Sequence, residues 1–171
     1  KGYIGDKVIE IYKENGIASA FANLGGNVVT LGSRPDGSPW RIGIQNPRGE
    51  NSDIVGVVEV TDKAVVTSGD YQRYFIKDGR RYCHIFDPRT GYPIDSDLMS
   101  VTIVAPSSAD ADGLAKVIVL GLDRGMEIVK DYGQAEAIFI TTDKKIYVTP
   151  GLKGRFRFED ATHEYTYIQN G

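Results

Sequence analysis

The chain has 171 residues, with 20 lysines and arginines, 23 aspartates and glutamates, and a formal net charge of −3. Its 41% apolar and 25% charged residues are ordinary for a globular protein and exclude collagen, coiled coils and wholesale disorder. A chain of this length buries one sizeable core, so we predict a single domain over residues 1–171.

Charge, apolar runs and cysteine content limit the possible classes further. Binding to a phosphate backbone needs a basic face, so the acidic balance argues against a nucleic-acid partner. No apolar run in the sequence approaches the roughly 18–20 residues that span a bilayer. The sequence begins with Lys1, and we expect it to be part of a longer protein. The single cysteine, Cys83, cannot form an intrachain disulfide and is expected in the core.

The hydrophobic pattern predicts an α+β fold in which a mainly antiparallel sheet packs with about three helices. The first predicted helix covers residues 2–15, and Gly16 ends it. Helical spacing predicts one buried face on this helix, formed by Ile4, Val8, Ile11 and Tyr12.

Short strands and two more helical segments follow. Strands are predicted over residues 18–24, 28–31, 40–45, 54–60, 64–67 and 99–105. Asp78 and Gly79 favour a tight turn, which predicts a hairpin between segments 71–76 and 81–86. The remaining predicted elements are helices over 108–122 and 123–131 and a closing hairpin of 137–141 and 145–148. Basic residues at 153, 155 and 157 are interpreted as the solvated side of a strand or turn, with anion binding as the alternative.

A pair of glycines separates the first two predicted strands. Gly25 and Gly26 allow positive φ angles or the close approach of a ligand to the backbone. An ordinary β-turn is the alternative. Since no G-x-G-x-x-G pattern follows, a Rossmann-type dinucleotide site is not supported.

The segment after the Asp-Gly hairpin concentrates functional groups between prolines and glycines. Strand alternation predicts that Tyr82, His84 and Phe86 share one face. Asp87 is placed to accept backbone N–H bonds in a turn, and Arg89 to pair with Asp87 or with a phosphate. An imidazole suits proton transfer at neutral pH, whereas the alternative is a structural histidine in a well-capped hairpin exit.

The helix predicted over residues 108–122 carries two opposite charges one turn apart. Asp112 and Lys116 lie about 40° apart around the helix, with mostly apolar neighbours. An ion pair on an otherwise apolar surface is costly unless a ligand or partner uses it. Both a structural ion pair and a ligand or metal role stay open from the spacing alone.

Six motifs in order then identify a resemblance. They are KGY…D from residue 1, NLGGN from 23, WRIGIQNP from 40, TSGDY from 67, HIFDPRTG from 84, and SVTI…AD from 100. With these motifs the chain resembles the ApbE family of FAD:protein FMN transferases. The resemblance implies an α+β fold related to the T-fold. It also implies a Mg²⁺-dependent reaction that cleaves FAD at its pyrophosphate, esterifies FMN to a Thr or Ser hydroxyl of an acceptor flavoprotein and releases AMP.

The same resemblance implies roles for individual residues. Lys1 matches a residue that contacts FAD, and Phe86 matches an apolar position lining the flavin site. His84 matches a histidine placed as general base toward the acceptor hydroxyl, and Asp112 matches a metal ligand. Lys116 stands where the family has a metal-binding threonine. A charged lysine has no lone pair and cannot ligate Mg²⁺, but its ammonium can take the place of the metal as a fixed cation.

The resemblance also implies an N-terminal portion, absent from this sequence, that supplies adenine contacts and a backbone carbonyl ligand. We therefore expect the chain to be the C-terminal portion of a flavin transferase. The alternative is a degenerate flavin- or nucleotide-binding module without metal-dependent turnover, which Lys116 favours and the motif from His84 to Gly91 opposes. A purely structural remnant is the third possibility. Relatives are commonly exported lipoproteins, which implies an extracytoplasmic or periplasmic, membrane-anchored full-length form.

Overall fold

A seven-stranded sheet lies at the centre of the structure, a computed structural model that describes residues 1–168. Helices cover one face of this sheet, and a three-stranded sheet covers the other. The strand Leu98–Ala105 is buried at all eight positions, because layers pack on both of its faces. Its two polar residues, Ser100 and Thr102, are buried with the apolar ones, and the hydroxyl of Thr102 forms a hydrogen bond with that of Thr67 at 2.8 Å.

The elements have the following bounds. The α-helices are α1 (Gly2–Glu14), α2 (Ser108–Leu114) and α3 (Leu122–Tyr132), and the 3₁₀ helices cover Ala115–Leu120 and Pro150–Leu152. The strands are β1 (Ala20–Leu24), β2 (Asn27–Leu31), β3 (Trp40–Gln45), β4 (Ile54–Val60), β5 (Ala64–Gly69), β6 (Tyr74–Lys77), β7 (Arg80–Cys83), β8 (Leu98–Ala105), β9 (Glu136–Thr141), β10 (Lys145–Val148), β11 (Phe156–Phe158) and β12 (Thr166–Ile168).

The sheets are almost entirely antiparallel. The central sheet has the order β1-β2-β5-β8-β9-β10-β12, the covering sheet has the order β11-β4-β3, and β6 pairs with β7. In the central sheet β10 and β12 pair in parallel, and the other neighbours are antiparallel. The predicted α+β fold with a mainly antiparallel sheet and three α-helices is confirmed.

The first helix is confirmed, but its predicted buried face is wrong. Ile4 and Ile11 are 56% and 54% exposed, whereas the buried residues of α1 are Gly2 and Gly5. A Cβ atom at Gly5 would lie 2.7 Å from the Ser108 side-chain oxygen. Helix α1 therefore packs so closely against α2 that a residue larger than glycine does not fit at the contact, and the face with the glycines is the buried one.

The single helix predicted over residues 108–122 is also wrong. The chain changes from α-helix to 3₁₀ helix after Leu114, where β-branched residues follow that lower α-helix propensity. Gly121 then adopts a φ of 81°, and the Asp97 carboxylate accepts the N–H of Leu122 at 3.1 Å. The Asp97 carboxylate thus caps the first N–H of α3, which begins at Leu122 as a helix separate from the preceding 3₁₀ helix.

The Asp-Gly hairpin is confirmed with shorter strands than predicted. Asp78 and Gly79 both have positive φ angles, 50° and 74°, as primed hairpin turns require. Strand β7 ends at Cys83, which is buried as predicted. The strand face predicted to join Tyr82, His84 and Phe86 is therefore wrong, because the last two residues lie beyond the strand.

The C-terminal part contains two more strands. Strand β11, in the segment interpreted as a strand or turn, pairs with β4, whereas β12 had no predicted counterpart. Within residues 1–168, no helix has both the length and the apolar character needed to cross a membrane.

Candidate active site

The carboxylate of Asp6 fixes α1 across the beginning of α2. It accepts hydrogen bonds from the backbone N–H groups of Ser108 at 2.6 Å and Ala109 at 3.0 Å, and from the Ser107 hydroxyl at 3.1 Å. Backbone N–H groups at the start of a helix lack partners within the helix, so a carboxylate there is stabilising. This contact places Gly2, one turn before Asp6, beside α2.

Asp112 is the centre of the first group of site residues. One of its carboxylate oxygens accepts the N–H of Gly2 at 3.0 Å, and the other accepts the ammonium of Lys116 at 3.2 Å. The same ammonium donates to the hydroxyl of Ser68, at the end of β5, at 3.1 Å. The ion pair between Asp112 and Lys116 that the spacing allowed is therefore formed.

These contacts decide the charge of Asp112. Its partial burial acts to raise the pKa, but the hydrogen bond from Gly2 and the ion pair with Lys116 outweigh burial, so that the pKa is lowered. The carboxylate is therefore ionised at neutral pH.

Lys1 joins this group through the glycine turn between β1 and β2. Its ammonium donates to the carbonyl oxygen of Gly25 at 2.8 Å, and Lys1 directly precedes Gly2. Gly25 and Gly26 have φ angles of 62° and 92° and form the two-residue turn between the antiparallel strands β1 and β2, which is the ordinary β-turn that the sequence left as the alternative. We call Lys1, Gly2, Ser68, Asp112 and Lys116 the Asp112 cluster.

His84 and Phe86 directly precede a turn that the contacts of Asp87 hold in shape. The carboxylate of Asp87 accepts the backbone N–H and the guanidinium of Arg89 at 2.9 and 2.7 Å, and its backbone carbonyl accepts the N–H of Gly91 at 2.8 Å. The guanidinium of Arg89 is the main cause of a lowered pKa of Asp87. The predicted backbone bond to Asp87 is thus confirmed, and of the two partners predicted for Arg89 the structure shows Asp87. Backbone hydrogen bonds between Asp87 and Tyr92 and between Ile94 and Ile85 support the same segment.

This turn presents its functional groups to solvent. Phe86 is 58% exposed and forms an isolated bridge with Pro93. His84 is exposed, and its backbone N–H donates to the carbonyl of Arg73 at 2.9 Å. Within residues 1–168 the imidazole has no hydrogen bond or ion pair to the protein, so it is available to a ligand.

The five predicted site residues thus form two groups. Lys1, Asp112 and Lys116 come together in the Asp112 cluster, whereas no hydrogen bond or ion pair in the described part of the chain links them to His84 or Phe86. The chain itself connects the groups, because β5 leads from Ser68 through the hairpin of β6 and β7 to His84.

Two contacts of the cluster were not predicted. The N–H of Gly2 and the hydroxyl of Ser68 both bind charged groups of the site. Ser68 lies in one of the six motifs, but no local pattern indicates that it meets a lysine 48 residues later in the sequence.

The donor set does not fit a magnesium site. Mg²⁺ takes about six oxygen ligands at 2.0–2.1 Å, and both oxygens of Asp112 already accept hydrogen bonds. The ammonium of Lys116 occupies the position beside them and offers no lone pair. In the described part of the chain, no three His, Cys, Asp or Glu side chains are grouped to hold a metal ion.

Comparisons with known proteins agree with the motifs. The ApbE family profile matches residues 1–139. The FAD:protein FMN transferase of Treponema pallidum is 38% identical over 170 residues, which cover 94% of this chain and 47% of that protein. One from Klebsiella pneumoniae is 36% identical over 165 residues, covering 96% of this chain and 50% of that protein.

Solved structures show the same likeness. The ApbE protein of Thermotoga maritima superposes with a TM-score of 0.81 at 35% identity, covering 91% of this chain and 51% of that chain. The flavin transferase ApbE of Vibrio cholerae gives a TM-score of 0.77 at 35% identity, covering 91% of this chain and 50% of that chain. The chain spans about half the length of the relatives it matches. Because the family profile and these relatives match most of its residues, the chain belongs to the ApbE family.

Proposed function

We propose that the full-length protein carrying this chain transfers FMN from FAD to a Thr or Ser hydroxyl of an acceptor flavoprotein and releases AMP. Relatives that share 36–38% identity carry the name FAD:protein FMN transferase. The observation that carries the proposal is the exposed imidazole of His84, three residues before Asp87 and with its backbone N–H bonded to the carbonyl of Arg73. A general base must reach an incoming hydroxyl, and an exposed imidazole on a hydrogen-bonded backbone meets that requirement.

The proposed reaction exchanges one bond to phosphorus for another. The acceptor hydroxyl oxygen attacks the phosphorus of the FMN half of FAD, and His84 accepts the hydroxyl proton. The bond between this phosphorus and the bridging oxygen of the pyrophosphate breaks, and the bridging oxygen leaves with AMP. Such a transfer depends mainly on positioning and on neutralising the phosphate charge.

Two further residues are proposed to position FAD. Phe86 offers an exposed aromatic ring against which the flat flavin packs. Lys1 brings a positive charge, held at the glycine turn, to the phosphate side of the cofactor.

The resemblance implies Mg²⁺ as well, and this stays a prediction from the resemblance. The Asp112 cluster, with its carboxylate engaged and an ammonium beside it, does not supply a set of oxygen ligands for that ion. No step above is therefore routed through a metal ion.

The alternative of a degenerate flavin- or nucleotide-binding module rests on Lys116. The relatives named above give it no support, because they carry the names of transferases. We therefore retain the transferase as the proposed function.

The partners and location are also proposals. The acceptor is a flavoprotein with an accessible Thr or Ser, and an N-terminal portion of the same protein is proposed to supply the adenine contacts. By resemblance, the full-length form is extracytoplasmic or periplasmic and anchored to the membrane as a lipoprotein. Labelling intact cells with a membrane-impermeant reagent tests this location, and a protein protected from the label would contradict it.

The test of the function uses the full-length protein, FAD and a flavoprotein with a mapped Thr or Ser flavin site. We expect equal amounts of AMP and of covalent flavin on the acceptor, measured by chromatography and by in-gel fluorescence. An acceptor in which this residue is alanine is the matched control. If neither AMP nor covalent flavin forms, with or without Mg²⁺, the proposed function is wrong.

A further inference from the structure

The ammonium of Lys116 is fixed by the protein and still open to a ligand. It donates to Asp112 at 3.2 Å and to Ser68 at 3.1 Å, which uses two of the three N–H donors of an ammonium. The Lys116 side chain is 59% exposed, so the third donor can reach a group arriving from solvent. The two acceptors lie on different elements, Asp112 on α2 and Ser68 on β5. Because the ammonium bonds to both, few positions are open to it.

The charges of the Asp112 cluster favour an anion. Both oxygens of its one carboxylate are engaged, one of them by the ammonium of Lys116, and the ammonium of Lys1 lies at the glycine turn between β1 and β2. A divalent cation arriving at Asp112 would meet the like charge of Lys116 and would have to displace it. A phosphate oxygen would instead be attracted by the ammonium and would accept its remaining N–H.

We propose that Lys116 is a built-in cation that binds the pyrophosphate of FAD, so that this site takes a nucleotide pyrophosphate without a divalent metal ion. The inference rests on the proposed function for the identity of the ligand. The carboxylate of Asp112 orients the ammonium, and the hydroxyl of Ser68 holds it from the other side. Asp112 is thus a positioning residue for Lys116 in this chain.

The test measures FAD binding to the full-length protein by calorimetry, once in EDTA and once with Mg²⁺. We expect the two affinities to agree within about twofold, since the charge that neutralises the pyrophosphate belongs to the protein. Lys116→Ala should weaken binding in EDTA about tenfold or more. Lys116→Arg, which keeps the charge, should retain more affinity than Lys116→Ala. Lys130→Ala removes an exposed lysine of α3 and is the matched control.

A second measurement uses Mn²⁺ alone as the probe of a divalent-metal site, followed by electron paramagnetic resonance. The parent should leave Mn²⁺ free in solution, whereas Lys116→Thr removes the competing ammonium, adds a hydroxyl oxygen and should bind it more tightly. This readout does not depend on turnover. Circular dichroism establishes that each variant is folded before its binding is compared.

The outcomes separate this inference from the proposed function. Three results would each overturn the proposal that Lys116 is a built-in cation. The parent would bind FAD only in the presence of Mg²⁺, the parent would bind Mn²⁺, or Lys116→Ala would bind FAD as tightly as the parent. If covalent flavin transfer is then still observed, the transferase proposal stands alone. The opposite result is FAD binding that needs Lys116 but no metal ion, with no flavin transfer to any acceptor. It would support Lys116 as the built-in cation and contradict the proposed transferase activity.

Discussion

Arg48 and Asp70 join the two large sheets through a two-point ion pair. Both terminal nitrogens of the guanidinium donate to the carboxylate, one to each oxygen, at 2.7 Å. Arg48 follows β3 of the covering sheet, and Asp70 follows β5 of the central sheet. The hydrogen bonds that the guanidinium donates to Asp70 are the main reason that the pKa of Arg48 is raised. The pair therefore holds the segment that leads from Ser68 to the hairpin.

Asp70→Asn should lower the free energy of unfolding by about 1–3 kcal/mol, because it leaves a half-buried guanidinium with a weaker partner. Urea denaturation measures the change. Lys144→Gln breaks an exposed ion pair with Glu164 and is the control, expected to cost at most about 1 kcal/mol. Equal losses for both variants would show that the Arg48 pair is no stronger than a surface ion pair.

Gly5→Ala should destabilise the protein by about 1–3 kcal/mol, because the added methyl overlaps tightly packed atoms of α2 and β2. The new Cβ would lie 2.7 Å from the Ser108 side-chain oxygen and 2.9 Å from a Val29 methyl group. Gly113→Ala is a matched helical control with no atom within 4 Å, and it should stabilise by up to about 1 kcal/mol. Thermal unfolding of both variants tests the close packing of α1, and a stabilised Gly5→Ala would refute it.

His84→Ala in the full-length protein should slow flavin transfer by about 10²–10⁴-fold, as expected for loss of a general base. FAD affinity should stay nearly unchanged, since the imidazole acts on the acceptor hydroxyl. His163→Ala, which changes the other histidine in an exposed turn, is the control. Single-turnover transfer rates give the comparison. If the His84 variant stayed within a few-fold of the parent, Asp87 would be the next candidate base.

The 171-residue chain by itself should bind FAD weakly or not at all. Its site residues lie on an open surface, where Lys1, Phe86 and Lys116 are all exposed, and they would leave much of a bound dinucleotide in water. Affinity falls when little of a ligand is buried. Isothermal calorimetry of the chain with FAD measures this, with FMN as the comparison ligand. Sub-micromolar affinity would show that these residues already form a complete site.

Alkaline pH should destabilise the fold through two tyrosines, the partly buried Tyr71 and the buried Tyr165. Burial raises the pKa of Tyr71 to about 12, and burial likewise raises that of Tyr165 to about 12, from an ordinary value of 10.0. The folded state therefore holds these protons more tightly than the unfolded state. The stability that these two protonated tyrosines add to the folded state is complete below about pH 10, and it is lost as the pH rises from about 10 to 12.

Tyr71→Phe should make the free energy of unfolding less dependent on pH in this range. Denaturant titrations at several alkaline pH values give the slope for each protein. Tyr92→Phe, which removes the hydroxyl of a tyrosine that is 73% exposed, is the control. Identical slopes for Tyr71→Phe and the parent would place the alkaline sensitivity elsewhere.

Features that depend on neighbouring residues could be predicted from the sequence. Asp78 and Gly79 adopt positive φ angles because the steric cost of that conformation is lowest for such residues. Asp112 and Lys116 meet because four residues make about one helical turn, and this spacing survives the change to a 3₁₀ helix. The ordered motifs identified the family, and the α+β class followed from helical and strand periodicity.

Tertiary packing decided what lies far apart in the sequence. The inner face of α1 is set by the contact of Gly5 with Ser108, although periodicity alone favoured its larger apolar residues. The contact of Ser68 with Lys116 joins a strand end to a helix, and no local energy term specifies it. The spacing of apolar residues shows which faces of a helix could be buried. Which face is buried depends on how closely another element, distant in the sequence, can pack against the helix. For that reason the sequence could place Asp112 beside Lys116, but only the fold brought the N–H of Gly2 and the hydroxyl of Ser68 to them.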